Sequence, residues 1–189
     1  MTIPLKSFIF LRHGETDWNR QHIVMGQTDI PLNEKGLMQA SLAAKLLKNI
    51  SFTSIAVNPL MRAIQTAQII SKSTSTTIIE NLKECSWGIM EGQPKGDGSW
   101  VHNWRNDFPI KNAELFSIFT KRVIAGLNQA LKLPGPVLII AHGGVYWAIQ
   151  QALQLPFIDL ANCTPVYHQP PERRNHPWLI YNLDNEEYL

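Results

Sequence analysis

Three apolar runs in this chain lead to residues able to hold or attack an anion. Phe8-Ile9-Phe10-Leu11 stops at Arg12-His13-Gly14, and Phe52 to Val57 leads within five residues to Arg62. Val137 to Ala141 stops at His142-Gly143-Gly144. Ligands of open α/β sheets bind beyond the carboxyl ends of the strands, so two imidazoles and two guanidiniums are expected at one sheet edge. Arg62 and His142 also fall near helix starts, where free N–H groups and the helix dipole favour anions. The chemistry this set could do is phosphoryl chemistry. A phosphate dianion needs about two compensating positive charges and several donors, and arginine supplies forked donors that stay charged. A neutral imidazole can attack phosphorus, and the ordinary histidine pKa of about 6.5 makes the neutral form common. The second imidazole can donate to the equatorial oxygens. Glycines beside both histidines, Gly143 among them, would let the backbone approach the phosphate. A small phosphorylated substrate is the expected partner, and no metal or organic cofactor is called for.

The elements that must position these residues follow from the pattern of apolar positions. Ser7 to Leu11 is β-rich and apolar throughout, as expected of a strand buried on both faces. Asn33 is a plausible N-cap for a helix to about Leu47, with Leu37, Ala40, Ala44 and Leu47 at helical spacing. Phe52 to Val57 reads as a second strand. Pro59 suits the first turn of a following helix with Ile64, Ala67 and Ile70 on one face. Thr76 to Ile79 is a third strand. Phe116, Phe119, Val123, Leu127 and Ala130 mark a long helix, ended by Pro134-Gly135-Pro136. Val137 to Ala141 is the clearest strand, followed by a helix from Val145 to about Leu153. Shorter strands are expected near Val166 and Trp178–Leu183. Strand–helix alternation predicts an α/β three-layer sandwich with a largely parallel central sheet flanked by helices. Residues 81–111 show no clear period, and about 85–111 reads as a short irregular insertion over the site. Trp100 and Trp104 stand there at helical spacing, which suits packing and leaves a role in a lid open.

Bulk properties narrow the function. The chain has 189 residues, 44% apolar and 17% charged, which predicts one globular domain spanning 1–189. A formal net charge of +2 is too small to point to nucleic acid or an anionic membrane surface. No apolar run is long enough to span a membrane. Cys85 and Cys163 make neither a disulfide framework nor a zinc set, which fits a reducing, cytoplasmic compartment. Each reads as a small buried apolar residue. His168 and His176 offer little beyond residue type to suggest a metal pair.

The ordered motifs carry a resemblance. Leu11-Arg12-His13-Gly14-Glu15-Thr16 resembles the signature of the histidine phosphatase superfamily, which includes the cofactor-dependent phosphoglycerate mutases. The likeness continues through Trp18-Asn19, Gly26, Asp29-Ile30-Pro31-Leu32, and Gly36 with Gln39-Ala40. It resumes at Pro59-Leu60-Met61-Arg62-Ala63 with Gln65-Thr66-Ala67. Leu82-Lys83-Glu84, Trp87-Gly88, Glu91-Gly92 and His142-Gly143-Gly144 complete it, so that it covers roughly Phe8 to Ile149. The resemblance implies that His13 is the nucleophile and carries a phosphohistidine. It implies that Arg12, Arg62 and His142 bind the phosphoryl oxygens, and that Glu84 is the general acid and then the base for water. Asn19 would be a hydrogen-bonding neighbour of the phosphoryl group, or simply cap a turn. Glu91 lies close enough in sequence to compete with Glu84.

Two departures bear on substrate. Asn112-Ala113-Glu114-Leu115 stands where many phosphatase members carry Gly-Glu-Ser, and Met25 stands where a polar residue is common. Trp104 to Val123 loosely resembles the α-ribazole phosphatases. A phosphatase is the first expectation. A cofactor-dependent phosphoglycerate mutase is second, because residues 92–112 offer only Lys95, Arg105 and Lys111 for a second phosphate. A catalytically silent phospho-ligand-binding member is third, and the retention of the whole reactive set argues against it.

Overall fold

The computed structural model describes residues 2–71, 74–173, 176–184 and 187–188. Its seven strands are β1 (Phe8–Arg12), β2 (Ser54–Val57), β3 (Ser75–Ile78), β4 (Val137–Ala141), β5 (Pro165–Gln169), β6 (Leu179–Asn182) and β7 (Glu187–Tyr188). They form one sheet in the order β3-β2-β4-β1-β5-β6-β7. The helices are α1 (Asp17–Arg20), α2 (Glu34–Leu47), α3 (Met61–Ser71), α4 (Ser99–Arg105), α5 (Phe116–Ala130) and α6 (Gly143–Leu153).

The continuous apolar strands are buried on both faces, and side chains alternate between two cores. Phe8 and Phe10 of β1, with Val137, Ile139 and Ala141 of β4, join the core beneath α5 and α6. Ile9, Leu11, Leu138 and Ile140 join the core beneath α2 and α3. This period of two in a fully apolar run is what covering a sheet by helices on both faces requires. On α5, Phe119, Val123 and Leu127 are fully buried. Burying each such side chain contributes roughly 1.5–3 kcal/mol.

The parallel part is β3, β2, β4 and β1, and β5, β6 and β7 run antiparallel beyond it. The direction reverses because the segment after α6 returns along the carboxyl edge: Cys163 N–H donates to the Arg12 carbonyl at 2.9 Å. β5 therefore starts beside the end of β1 and runs back along it.

Three local expectations shift. Leu37 is 42% exposed, whereas Gly36, Ala40, Ala43 and Leu47 form the buried face of α2. That rotation follows from Gly36 packing on the Glu15 backbone, where a Cβ would overlap the Glu15 carbonyl. Pro59 lies just before α3, and Asn58 Oδ1 accepts the Leu60 N–H at 2.9 Å. Residues 85–111 contain the helix α4, seven residues long and too short for a readable period. Trp104 roots it in the core at 0% exposure, so the packing reading holds for that residue. Bridges Ile23↔Pro94 and Trp87↔Ala113 pin the segment at both ends. Among the described residues, no helix is long and apolar enough to cross a membrane.

Candidate active site

The end of β1 is held by neighbours from every side. His13 N–H donates to the Ala141 carbonyl at 3.0 Å, and the His13 carbonyl accepts from Asn162 Nδ2 at 2.8 Å. Gly14 N–H donates to Thr66 Oγ1 (3.1 Å), which donates to the Arg62 carbonyl (2.7 Å) and ties β1 to α3. A Cβ on Gly14 would stand 2.5 Å from the Gly36 carbonyl oxygen, so the turn needs glycine here. The His13 ring is 3% exposed, and Nδ1–H donates to the Gly14 carbonyl at 2.7 Å. In the neutral ring this leaves the lone pair on Nε2. The His142 ring lies 5.0 Å from it, centroid to centroid. His142 is fully buried, and neither of its ring nitrogens has a protein partner. Burial first, then the charge of Arg62, pushes both imidazoles well below the ordinary histidine range. Both are neutral near pH 7.

Neither key arginine is spent on a carboxylate. Arg12 Nη1 donates to the Leu160 carbonyl at 2.8 Å. Arg62 donates through Nη1 to Thr28 O (3.0 Å) and through Nη2 to Gly26 O (2.7 Å). The Nε of each is buried without a protein partner. Burial pulls Arg62 down to about 10 against the pull of Glu84, so it stays cationic at neutral pH. Arg12 is lowered in the same way and from the same cause.

Glu84 is 9% exposed and is held by two backbone donors, Cys85 N–H to Oε1 (2.8 Å) and Gly144 N–H to Oε2 (3.0 Å). Burial raises its pKa, with the two N–H groups and then Arg62 and Arg12 pulling the other way. Glu91 is occupied elsewhere. Its carboxylate accepts from Gln27 N, Thr28 N, Thr28 Oγ1 and Trp87 N at 2.8–3.1 Å. It braces the loop whose carbonyls hold Arg62.

The segment carrying Glu84 is gripped from behind by Arg122. All five guanidinium N–H groups are used: Nε and Nη2 on Glu114 (2.9 and 2.7 Å), Nη1 on the Asn81 and Lys83 carbonyls (3.1 and 3.0 Å), and Nη2 on the Glu84 carbonyl (3.3 Å). Glu114 also accepts the Ser86 N–H at 2.9 Å. The departure at Asn112–Leu115 therefore keeps its carboxylate. Leu115, at the N-cap of α5, offers no side-chain cap. Asp107 Oδ1 accepts the Ser117 N–H instead, at 2.8 Å.

Arg12, His13, Asn19, Arg62, Glu84 and Gly143 line one cleft of about 160 Å³. His142 lies beneath it against His13. Asn19 closes a capping box with Thr16, its Oδ1 accepting the Thr16 N–H at 3.2 Å, which leaves the amide NH2 to offer. Met25 is buried and lines the cleft, with Thr16 Oγ1 on its sulfur at 3.8 Å. Trp100 and Lys95, both singled out in the sequence, also line it, as do Trp147, Asp159 and Leu160, which sequence reasoning missed. Trp147 carried a usable signal, since it lies four residues after Gly143 and so on the same helix face. The loop holding Asp159 and Leu160 carried none. Both cysteines are free and buried. His168 stacks on Phe8 (4.2 Å) and meets Tyr146 Oη and the Val166 carbonyl. Among the described residues, no cluster of three or more His, Cys, Asp or Glu side chains could hold a metal.

This chain belongs to the histidine phosphatase superfamily (branch 1), whose family model matches residues 8–166. A relative named "Uncharacterized phosphatase PhoE", from Bacillus subtilis (strain 168), is 39% identical over 144 residues, covering 74% of this chain and 72% of that protein. One named "Probable phosphoglycerate mutase GpmB", from Yersinia pestis (strain Pestoides F), is 32% identical over 145 residues, covering 70% and 67%. Among solved structures, the alpha-ribazole phosphatase from Shigella flexneri superposes with a TM-score of 0.74 at 25% identity, covering 88% of this chain and 92% of that one.

Proposed function

We propose that this chain hydrolyses small phosphate monoesters through a phosphohistidine on His13. The observation that carries the proposal is the His13 ring, whose Nδ1–H is held by the Gly14 carbonyl so that Nε2 is free, set beside two buried arginines whose donors go to backbone carbonyls rather than to a carboxylate. His13 Nε2 attacks phosphorus and the ester P–O bond breaks. Arg12, Arg62 and an N–H of neutral His142 hold the equatorial oxygens, with the Gly143 backbone and the Asn19 amide as neighbours. Glu84, whose pKa burial raises, gives its proton from the acid form to the leaving alkoxide. Its carboxylate then takes a proton from water as the new O–P bond forms, and N–P cleavage returns neutral His13 and inorganic phosphate. The two free thiols suit a cytoplasmic setting for this activity.

A mutase is the second reading, since the 32% identical relative bears that name. Of Lys95, Arg105 and Lys111, only Lys95 lines the cleft. Arg105 lies over the Phe157 ring at 3.2 Å, and Lys111 is exposed. A second phosphate would find one cation there. Acid-quenched enzyme given a labelled monoester should carry acid-labile, base-stable phosphate that His13→Ala abolishes together with turnover. Phosphate release should need no 2,3-bisphosphoglycerate. A His13→Ala enzyme with near wild-type turnover would overturn the phosphohistidine. Efficient bisphosphate-dependent isomerisation with little phosphate release would favour the mutase.

A further inference from the structure

The cleft does not end at the phosphoryl groups. Three indoles line it, Trp87, Trp100 on α4 and Trp147 on α6, and of these Trp87 is nearly buried at 5% exposure while Trp100 and Trp147 are only partly buried. Trp147 sits one helical turn beyond Gly143, on the same face of α6, and both line the cleft. Trp100 and Trp147 have each spent their single polar atom on the protein. Trp100 Nε1–H donates to the Lys95 carbonyl at 2.9 Å, and Trp147 Nε1–H donates to Asp159 Oδ1 at 3.0 Å. What remains for a ligand is ring carbon. Trp100 is also braced by its neighbours: it meets Trp87 edge-on at 5.0 Å, and Trp87 packs on the fully buried Trp104 at 4.3 Å. A ring fixed in this way loses little freedom when it binds, which favours stacking.

Charge on this outer side is balanced. Lys95 borders the cleft, and the groove that continues from it is bordered by Asp97, Arg105 and Asp159. Two cations against two carboxylates give no net attraction for a second phosphate or a carboxylate. Aromatic wall and neutral surroundings together select for an uncharged group.

Resting on the phosphatase reading above, we infer that the leaving group of the preferred substrate is a flat, uncharged aromatic alcohol, seated against Trp100 and Trp147. Base or ring stacking on an aromatic side chain typically changes affinity by about tenfold or more. The test compares kcat/KM for benzyl, cyclohexylmethyl and ethyl phosphate, whose alcohols have similar acidity, so that the chemical step is matched. The wild-type enzyme should prefer benzyl over ethyl phosphate by about tenfold or more, and benzyl over cyclohexylmethyl phosphate. Trp100→Ala and Trp147→Ala should each collapse the benzyl-to-ethyl ratio, while Trp100→Phe and Trp147→Phe retain most of it. The ratio is a property of the folded fraction, so partial unfolding does not mimic the effect. A wild-type ratio near one, cyclohexylmethyl phosphate equal to benzyl phosphate, or ratios preserved in both alanine variants would overturn the inference. Failure of the phosphatase reading looks different: no monoester of the three would release phosphate or label His13.

Discussion

The Gly144 N–H donates to Glu84 Oε2 at 3.0 Å, and a Cβ on residue 144 would overlap Glu84 Oε1. The two residues are sixty positions apart, and the first turn of α6 admits only glycine while Glu84 stays where it is. Gly144→Ala should therefore displace the carboxylate rather than unfold the chain. Phosphoenzyme formation from alkyl phosphates should fall about 10²-fold or more, the scale of lost acid assistance, with near-native circular dichroism. A folded Gly144→Ala enzyme with wild-type alkyl phosphate turnover would show that this contact does not place the acid.

The acid role proposed for Glu84 predicts a dependence on the leaving group. An alkoxide needs a proton as the P–O bond breaks, whereas a nitrophenolate leaves with little help. Glu84→Gln should slow phosphoenzyme formation from alkyl phosphates by about 10²–10⁴ and from p-nitrophenyl phosphate far less. Pre-steady-state rates are needed, because losing the base would slow hydrolysis of the intermediate equally for both. Glu91→Gln should weaken the loop at Gly26–Thr28 without that selectivity. Selective loss in Glu91→Gln instead would move the role away from Glu84.

Arg122 acts on the same group through the backbone, and its five donors are all engaged. Lysine has three donors and no fork, so Arg122→Lys cannot hold Glu114 and the three carbonyls together. The expected result is a loss of about tenfold in alkyl phosphate turnover with a smaller loss on p-nitrophenyl phosphate. Arg122→Met should also cost about 2–3 kcal/mol in urea unfolding, because Glu114 is left partly buried and unpaired. Equal losses on both substrates in Arg122→Lys would reduce its part to stability alone.

Acid should destabilise the fold through its buried imidazoles. His168 has a pKa lowered to about 3 by burial, against about 6.5 in the unfolded chain. Above about pH 6.5 neither state is protonated and the contribution is complete. As pH falls from about 6.5 toward 3, the unfolded chain takes up a proton that the folded one refuses. Stability then falls by about 1.4 kcal/mol per pH unit for each such group. His13 and His142 act with the same sign. His168→Phe keeps an aromatic ring for Phe8 to pack against. It should lose about 2 kcal/mol less than wild type between about pH 7 and 5 in urea melts. Parallel pH curves for the two proteins would remove His168 from this account.

The sequence by itself determined the strands that end on Arg12-His13 and on His142, the long helix α5, the N-cap at Asn33 and the residues now found around one cleft. Those features are local: unbroken apolar runs, helical spacing and glycines beside histidines can be read without knowing what packs on what. Only the tertiary structure shows that Glu84 lines the cleft while Glu91 is tied into a loop, because both are carboxylates in one short stretch and differ in partners from distant segments, Gly144 for one and the Gly26–Thr28 loop for the other. It also decided the outward turn of Leu37, the antiparallel half of the sheet, the short helix α4 and the clamp of Arg122 on Glu84. Each of these rests on contacts between residues far apart in sequence. Such contacts form only when the sheet brings separate segments to one edge, and no pattern within a single segment records them.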